Sequence, residues 1–229
     1  TLKGNAGEDH LDGGKGADKM IGGKHDDIYS VDHKRDQVIE SKRGGIDTIE
    51  ASIDISIESN QHVENITLSP TARKAKQATG NAGKNTLIGN AAANQLDGKE
   101  GKDRLDGGGG ADKLTGGAGP DTMTGGKGGD QFIYTSTTDA GKGRKQRDTI
   151  LDFKGTQGDR INFKKLDANP NQPGKQALRF IDDARFSSEP GELRFASGKL
   201  QINTDADPKA EMEIHLKGVN GFQAGFLLL

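Results

Sequence analysis

The stretch GGGGADKLTGGAGPDTMTGGKGGDQF, from Gly107 to Phe132, is roughly two-fifths glycine and places an aspartate every nine residues, at Asp112, Asp121 and Asp130. Laid out on that period it reads GGGGADKLT, GGAGPDTMT and GGKGGDQFI, starting at Gly107, Gly116 and Gly125. Upstream, GNAGKNTLI, GNAAANQLD and GKEGKDRLD start at Gly80, Gly89 and Gly98 in the same phase. Three further copies, GNAGEDHLD, GGKGADKMI and GGKHDDIYS, start at Gly4, Gly13 and Gly22. In all nine the first position is Gly, the sixth is Asp or Asn, and the eighth is Leu, Met, Tyr or Phe. A flexible glycine-rich linker does not keep one apolar residue in phase.

Glycines at the first, second and fourth positions permit positive φ and let carbonyls converge, while the apolar eighth residue points inward from a short strand. Six residues turn and three extend, so two units close one coil of eighteen residues. The short strands then fall into two parallel sheets, and turns on one side of the coil stack one above another. That arithmetic sets Asp103 against Asp121, Asp112 against Asp130 and Asp9 against Asp27, with main-chain carbonyls between them. Two carboxylates about 4 Å apart repel by ~4 kcal/mol at a surface-like dielectric. A divalent ion between them turns the repulsion into attraction, and an all-oxygen donor set suits a hard cation such as Ca²⁺. Asn85 and Asn94 replace aspartate at the sixth position and read as stacking or weakly ligating residues; His25 breaks the glycine pattern at a fourth position.

The repeat resembles the RTX, or hemolysin-type, calcium-binding nonapeptide G-G-x-G-x-D-x-U-x. The resemblance implies an all-β fold, a parallel β-roll of the solenoid class, binding several Ca²⁺ ions. It also implies a ligand scheme: the second and fourth carbonyls and the sixth-position aspartate of one unit, joined by the first and third carbonyls and the aspartate of the unit eighteen residues later. Carried over, one site takes Gly108, Gly110 and Asp112 with Gly125, Lys127 and Asp130. Another takes Lys99, Gly101 and Asp103 with Gly116, Ala118 and Asp121, the lysines contributing main chain only. A third takes Asn5, Gly7 and Asp9 with Gly22, Lys24 and Asp27, and Asp18 is the sixth-position candidate of the second unit.

From Gly128, GGDQFIYTSTTDAGKGRKQRDTILDFKGTQGDRINF and later LRFASGKLQINTDADPKAEMEIHLKGVNGFQAGFLLL resemble the C-terminal region of serralysin-type secreted metalloproteases. This implies a C-terminal antiparallel β cap carrying an uncleaved type I secretion signal, and hence a bacterial, extracellular protein whose partner is the type I secretion machinery. The signal would be Phe222 to Leu229, where Gly225 stands in place of the family's usual Asp. Asp152 in LDF and Asp159 in GDRI fall where the family caps its last calcium-bearing turns, though turn-forming acids at strand ends are an equal reading. Asp205 and Asp207 read as a turn before Pro208.

Four segments are expected: a first repeat block over 1–30, a β-rich wide-turn segment stacked on the roll over 31–79, a second block over 80–133, and the cap over 134–229. In the second, Ile49, Ala51, Ile53, Ile55 and Ile57 alternate as in one half-buried strand, HVENITLS reads as another, and Arg73, Lys74 and Lys76 read as solvated loop.

The chain has 229 residues, net charge -2, 30% hydrophobic residues and no cysteine. Neither a disulfide framework nor a cysteine zinc site is open to it. No apolar run approaches the roughly 18 residues of a membrane span, nothing points to nucleic acid, and no charged-then-apolar signal peptide opens the chain. It begins in mid-pattern at TLKGNAGEDHLDGG, as expected of a piece of a longer exported protein such as a protease or lipase. No HExxH or G-x-S-x-G is present, and His10, His25, His33, His62 and His215 are scattered singly, so no catalysis is expected. The competing class is a module binding an anionic, alginate-like polysaccharide along a line of Lys15, Lys19, Lys113 and Lys127. Lysines on exposed strands also serve simply to block edge-to-edge aggregation.

Overall fold

Each unit of the second repeat block ends in a three-residue strand: Thr86–Ile88, Gln95–Asp97, Arg104–Asp106, Lys113–Thr115, Thr122–Thr124 and Gln131–Ile133. Their middle residues, Leu87, Leu96, Leu105, Leu114, Met123 and Phe132, are all 0% exposed. Alternate strands go to opposite sheets, so Leu87 lies beside Leu105 and Leu105 beside Met123, while Leu96 lies beside Leu114 and Leu114 beside Phe132. Every one of these pairings is parallel, as an eighteen-residue coil requires. Gly119, at φ 135°, shows why the turns demand glycine: a Cβ there would run into the carbonyl of Gly101 in the coil below.

The computed structural model describes residues 1–72 and 75–229. Arg73 and Lys74, expected as solvated loop, lie outside the described residues; Lys76 beside them is exposed. The architecture is all-β, a parallel roll with antiparallel strands at its C-terminal end. One wall is a twelve-stranded sheet running from His10–Asp12 through Ile28–Val31, Thr48–Ala51, Asn65–Leu68 and the repeat strands to Asp148–Ile150, then into the C-terminal strands. The opposite wall is divided into a three-stranded sheet, Leu2–Ala6, Lys19–Lys24 and Gln37–Ile39, and a seven-stranded sheet from Ile55–Ser56 to Leu227–Leu228.

Strands of the 31–79 stretch sit between those of the two repeat blocks in the twelve-stranded wall, with Ile49 beside Tyr29 and Ile66 beside Leu87. The run Ile49 to Ile57 is not one strand. Thr48–Ala51 belongs to the twelve-stranded sheet and Ile55–Ser56 to the seven-stranded one, with a corner between. A roll buries alternate residues on both walls, so period-two patterning runs through the corner uninterrupted. In the first block extended pairing also continues into turn positions, with Asn5 opposite Gly23 and Ala6 opposite Lys24.

At the C-terminal end Glu192–Ala196, Lys199–Asn203 and Met212–Leu216 form an antiparallel meander, and the last of these pairs in parallel with Asp148–Ile150. Leu227–Leu228 extends the other wall beside Arg160–Asn162. Phe222 joins the two, its ring 5.3 Å from Phe195, 5.5 Å from Phe226 and 5.7 Å from Phe153.

Candidate metal centre

Two ladders of carboxylates run along the roll, one on each side. On the first, the main-chain N–H of Asp9 donates to Asp27 Oδ1, that of Asp27 to Asp47 Oδ1, and that of Asp47 to Glu64 Oε2, each at 2.8 Å. It resumes with Asn85 donating to Asp103 Oδ1 at 2.7 Å, Asp103 to Asp121 and Asp121 to Asp148, both at 2.8 Å. On the second side Asp18 donates to Asp36 Oδ1 at 3.0 Å, Asn94 to Asp112 at 2.7 Å, Asp112 to Asp130 at 2.9 Å and Asp130 to Asp159 at 3.0 Å. Each of these acids thus ties its own turn to the coil before it.

The other carboxylate oxygen is different. Oδ2 of Asp9, Asp27, Asp47, Asp103, Asp112, Asp121, Asp130 and Asp148 is buried with no hydrogen-bond partner. Among the described residues no lysine or arginine makes an ion pair with any of them. A buried, unpaired carboxylate is costly and raises its pKa. Burial, opposed by the ladder hydrogen bond and reinforced by neighbouring carboxylates, pushes Asp103 up to about 8 and Asp112 up to about 7. Asp121 rises to about 6, again chiefly through burial.

These oxygens converge with carbonyls. A Cβ added at Gly98 would stand 2.5 Å from both Asp103 Oδ2 and Gly116 O; one at Gly107 would stand 2.5 Å from Asp112 Oδ2 and 2.6 Å from Gly125 O. Gly4 repeats the arrangement with Asp9 Oδ2 and Gly22 O. Glycine at the first position therefore leaves open a cradle edged by a carboxylate and a carbonyl from successive coils. The donors are all oxygen, and the charge is uncompensated, which fits a hard divalent cation.

Not every residue of the sequence scheme behaves alike. The carbonyls of Lys99 and Gly108 accept from Ala118 N and Lys127 N at 2.8 and 3.0 Å, Ala118 O accepts from Gly101 N at 2.8 Å, and Lys24 O accepts from Gly7 N at 3.3 Å. These oxygens keep a second lone pair but already hold coils together. The Gly101 and Gly110 carbonyls face Gly119 and Gly128 of the next coil. Both oxygens of Asp152 are engaged, accepting from Gly125 N and Gly126 N at 3.0 and 2.9 Å. Asp159 is likewise filled by Asp130 N and Lys154 N, at 3.0 and 2.8 Å. His25 does not break the turn. It adopts φ 75° in place of a glycine, and its Nδ1 accepts from Gly7 N at 3.1 Å. Asp47, Glu64 and Asp148, all ladder members, lie off the eighteen-residue spacing and are invisible to it, whereas Asp36 keeps the spacing from Asp18 but sits in a stretch without the repeat's glycines.

The asparagine turns are built otherwise. Asn85 Oδ1 and Asn94 Oδ1 turn back within their own loops to accept from Asn81 N and Asn90 N, both at 2.7 Å. Asn81 Nδ2 donates to the carbonyls of Asn60 and Val63, each at 2.9 Å. Asn90 Nδ2 reaches those of Ser69, Ala72 and Ala75 at 3.1 to 3.3 Å. Here a side-chain NH₂ sits among the carbonyls, and the turn closes on itself.

Of the four lysines, Lys19 and Lys113 both lie on the divided wall, Lys19 in its three-stranded sheet and Lys113 in its seven-stranded one between Gln95 and Gln131. No helix among the described residues is long and apolar enough to cross a membrane.

None of the curated proteins matches this chain. Among solved structures, the AlgE6R3 subunit of the Azotobacter vinelandii mannuronan C5-epimerase is 25% identical, over 64% of this chain and 78% of that one, with a TM-score of 0.44. The AlgE6R2 subunit of the same enzyme is 23% identical over 64% and 91%, with a TM-score of 0.42. The family model described as Peptidase M10 serralysin C terminal matches residues 4–228. The chain therefore belongs to the serralysin C-terminal family, an RTX-type β-roll repeat module.

Proposed function

We propose that this chain is the calcium-dependent folding and type I secretion module of a larger exported bacterial protein, with the division at 30/31, 79/80 and 133/134 as its working segments. The observation that carries the reading is the row of buried Asp Oδ2 atoms without partner or counter-charge. Asp103 with Gly116 O, Asp112 with Gly125 O, and Asp9 with Gly22 O would hold the ions, and Asp121 and Asp130 continue the rows. A bound Ca²⁺ would supply the positive charge that these oxygens lack. The chain's own residues do the rest: Oδ1 and the main-chain N–H of successive aspartates fix the coil spacing, and the first-position glycines keep the cradle open.

Linkage gives the mechanism. A ligand bound only by the folded state stabilises it by about 2.7 kcal/mol per site at roughly a hundredfold excess over Kd, and by almost nothing when calcium is scarce. The module would stay unfolded where calcium is low and fold where it is high, outside the cell. The test is far-UV circular dichroism during a calcium titration from EDTA-treated buffer, with magnesium as control. A cooperative coil-to-β transition given by calcium and not by magnesium is the expected result; an unchanged β spectrum in EDTA would sink the switch.

A further inference from the structure

The turn at 40–47 is not a nonapeptide, yet it stacks on the turn at 22–27 as its next coil, the N–H of Asp27 donating to Asp47 Oδ1 at 2.8 Å. Glu40 stands eighteen residues after Gly22, where a repeat would carry its first glycine. Its carboxylate is drawn into the turn: Oε1 accepts from the Tyr29 hydroxyl and, at 3.3 Å, from Gly23 N, and Oε2 accepts from Ser41 N at 3.0 Å. One oxygen each of Asp27, Glu40 and Asp47 lie within 4.8 Å of one another. Asp27 and Asp47 are 1% and 0% exposed, and Oδ2 of each has no hydrogen-bond partner.

Three carboxylates in so small a space need a compensating charge, and among the described residues no lysine or arginine pairs with them. Lys24, Lys42 and Arg43 flank the cluster in sequence, but all three are exposed and make no ion pair with it. Gly22 and Gly44 keep the space open: a Cβ on Gly22 would collide with Asp27 Oδ2, the Tyr29 hydroxyl and Glu40 Oε1, and one on Gly44 with Glu40 Oε2. Burial and the neighbouring carboxylates push Asp47 up to about 7 and raise Asp27. We propose that Asp27, Glu40 and Asp47 form a separate site for a hard divalent cation, with one more carboxylate than the paired aspartates of the nonapeptide turns, clamping the first repeat block to the wide-turn segment. The site presupposes the cation-binding reading of the roll but is separable from it, because Glu40 and Asp47 belong to no repeat.

Tyr29 makes the site addressable. The chain has two tyrosines and no tryptophan, so in Tyr134→Phe protein only Tyr29 can sensitise Tb³⁺, a hard oxygen-seeking stand-in for calcium. Tyrosine-excited Tb³⁺ emission that Ca²⁺ competes away is expected. Adding Glu40→Gln should weaken that Tb³⁺ binding by more than about tenfold, while the calcium-driven far-UV transition of the roll persists. Asp47→Asn, which keeps the oxygen that accepts from Asp27 N, is the second variant should Glu40→Gln fail to fold. Unchanged emission in a folded variant, or no emission from Tyr134→Phe protein that still folds with calcium, overturns this site alone. Loss of both emission and far-UV transition in the parent chain overturns the folding switch as well.

Discussion

The asparagine coils at 80–97 and the aspartate coils at 98–133 share one backbone and opposite electrostatics. In both, Leu87, Leu96, Leu105 and Leu114 fill the interior identically, and in both the sixth side chain turns toward the first glycine. In the asparagine coils the amides of Asn81 and Asn90 place donors among the carbonyls, and Asn85 and Asn94 oxygens are both occupied. In the aspartate coils the corresponding Oδ2 atoms are left bare. A neutral NH₂ donor satisfies a carbonyl cage with no ion, whereas a carboxylate beside carbonyls is an acceptor facing acceptors. The asparagine coils therefore close on hydrogen bonds alone, while the aspartate coils beside them leave charged oxygens that an added cation would satisfy under the proposed reading.

Exchanging the two chemistries tests that contrast most severely. Asn90→Asp puts a carboxylate against the carbonyls of Ser69, Ala72 and Ala75. It should cost about 3 to 5 kcal/mol at the lowest calcium that keeps the parent chain folded, as an uncompensated buried charge does, with saturating calcium restoring part of the loss. In the other direction, Asp112→Asn should gain about 1 kcal/mol at that calcium level and blunt the response to further calcium. Thermal melts at limiting and at saturating calcium read both, and equal effects in the two would erase the distinction.

A pH series sharpens it further. Asp103, Asp112 and Asp47 have folded-state pKa values pushed up to about 8, 7 and 7, and Asp121 to about 6. The folded metal-free chain then binds more protons than the unfolded one between about pH 4 and 8, so its stability falls as pH rises through that window. Glu192 and Glu213 are lowered by hydrogen bonds and cations and act in the opposite sense, but both lie in the cap. In EDTA the residual folded fraction read by far-UV circular dichroism should be higher near pH 5 than near pH 8, and in saturating calcium stability should run the other way, since only the carboxylate ligates. A metal-free folded fraction that rises with pH would contradict the buried-acid ladder.

The smallest effect belongs to charges outside the turns. Arg104, on the outer face of an aspartate coil, pairs with Asp106 at 3.5 Å while half exposed. Arg104→Ala should shift stability by no more than about 0.5 kcal/mol and leave the calcium midpoint in place. A larger shift would mean that strand-face charge, and not the acids inside the turns, separates the two kinds of coil.

The nonapeptide phase made the repeat strands, their inward residues and the eighteen-residue register readable directly, as Leu87 beside Leu105 and Leu114 beside Phe132 show. Period two misled at Ile49 to Ile57, because alternation looks the same in one strand as in two joined by a corner. It also hid ladder members wherever the loop between coils changes length: Asp47 lies 20 residues from Asp27, and Asp148 lies 27 from Asp121. The asparagines at second positions gave no signal of their own, since a donor's partners, here the carbonyls of Asn60, Val63, Ser69, Ala72 and Ala75, come from a stretch with no repeat.

By itself the sequence determined the period, the inward face and the placement of one acid per turn, because these are local consequences of glycine, chain pitch and a single apolar residue. Only the tertiary structure decided which acids meet, which oxygens stay bare and where an amide closes the turn. Those outcomes depend on the register of stacked coils, and across irregular loops that register is set by the packing of Tyr29, Ile49 and Ile66 in the wall rather than by any count along the chain.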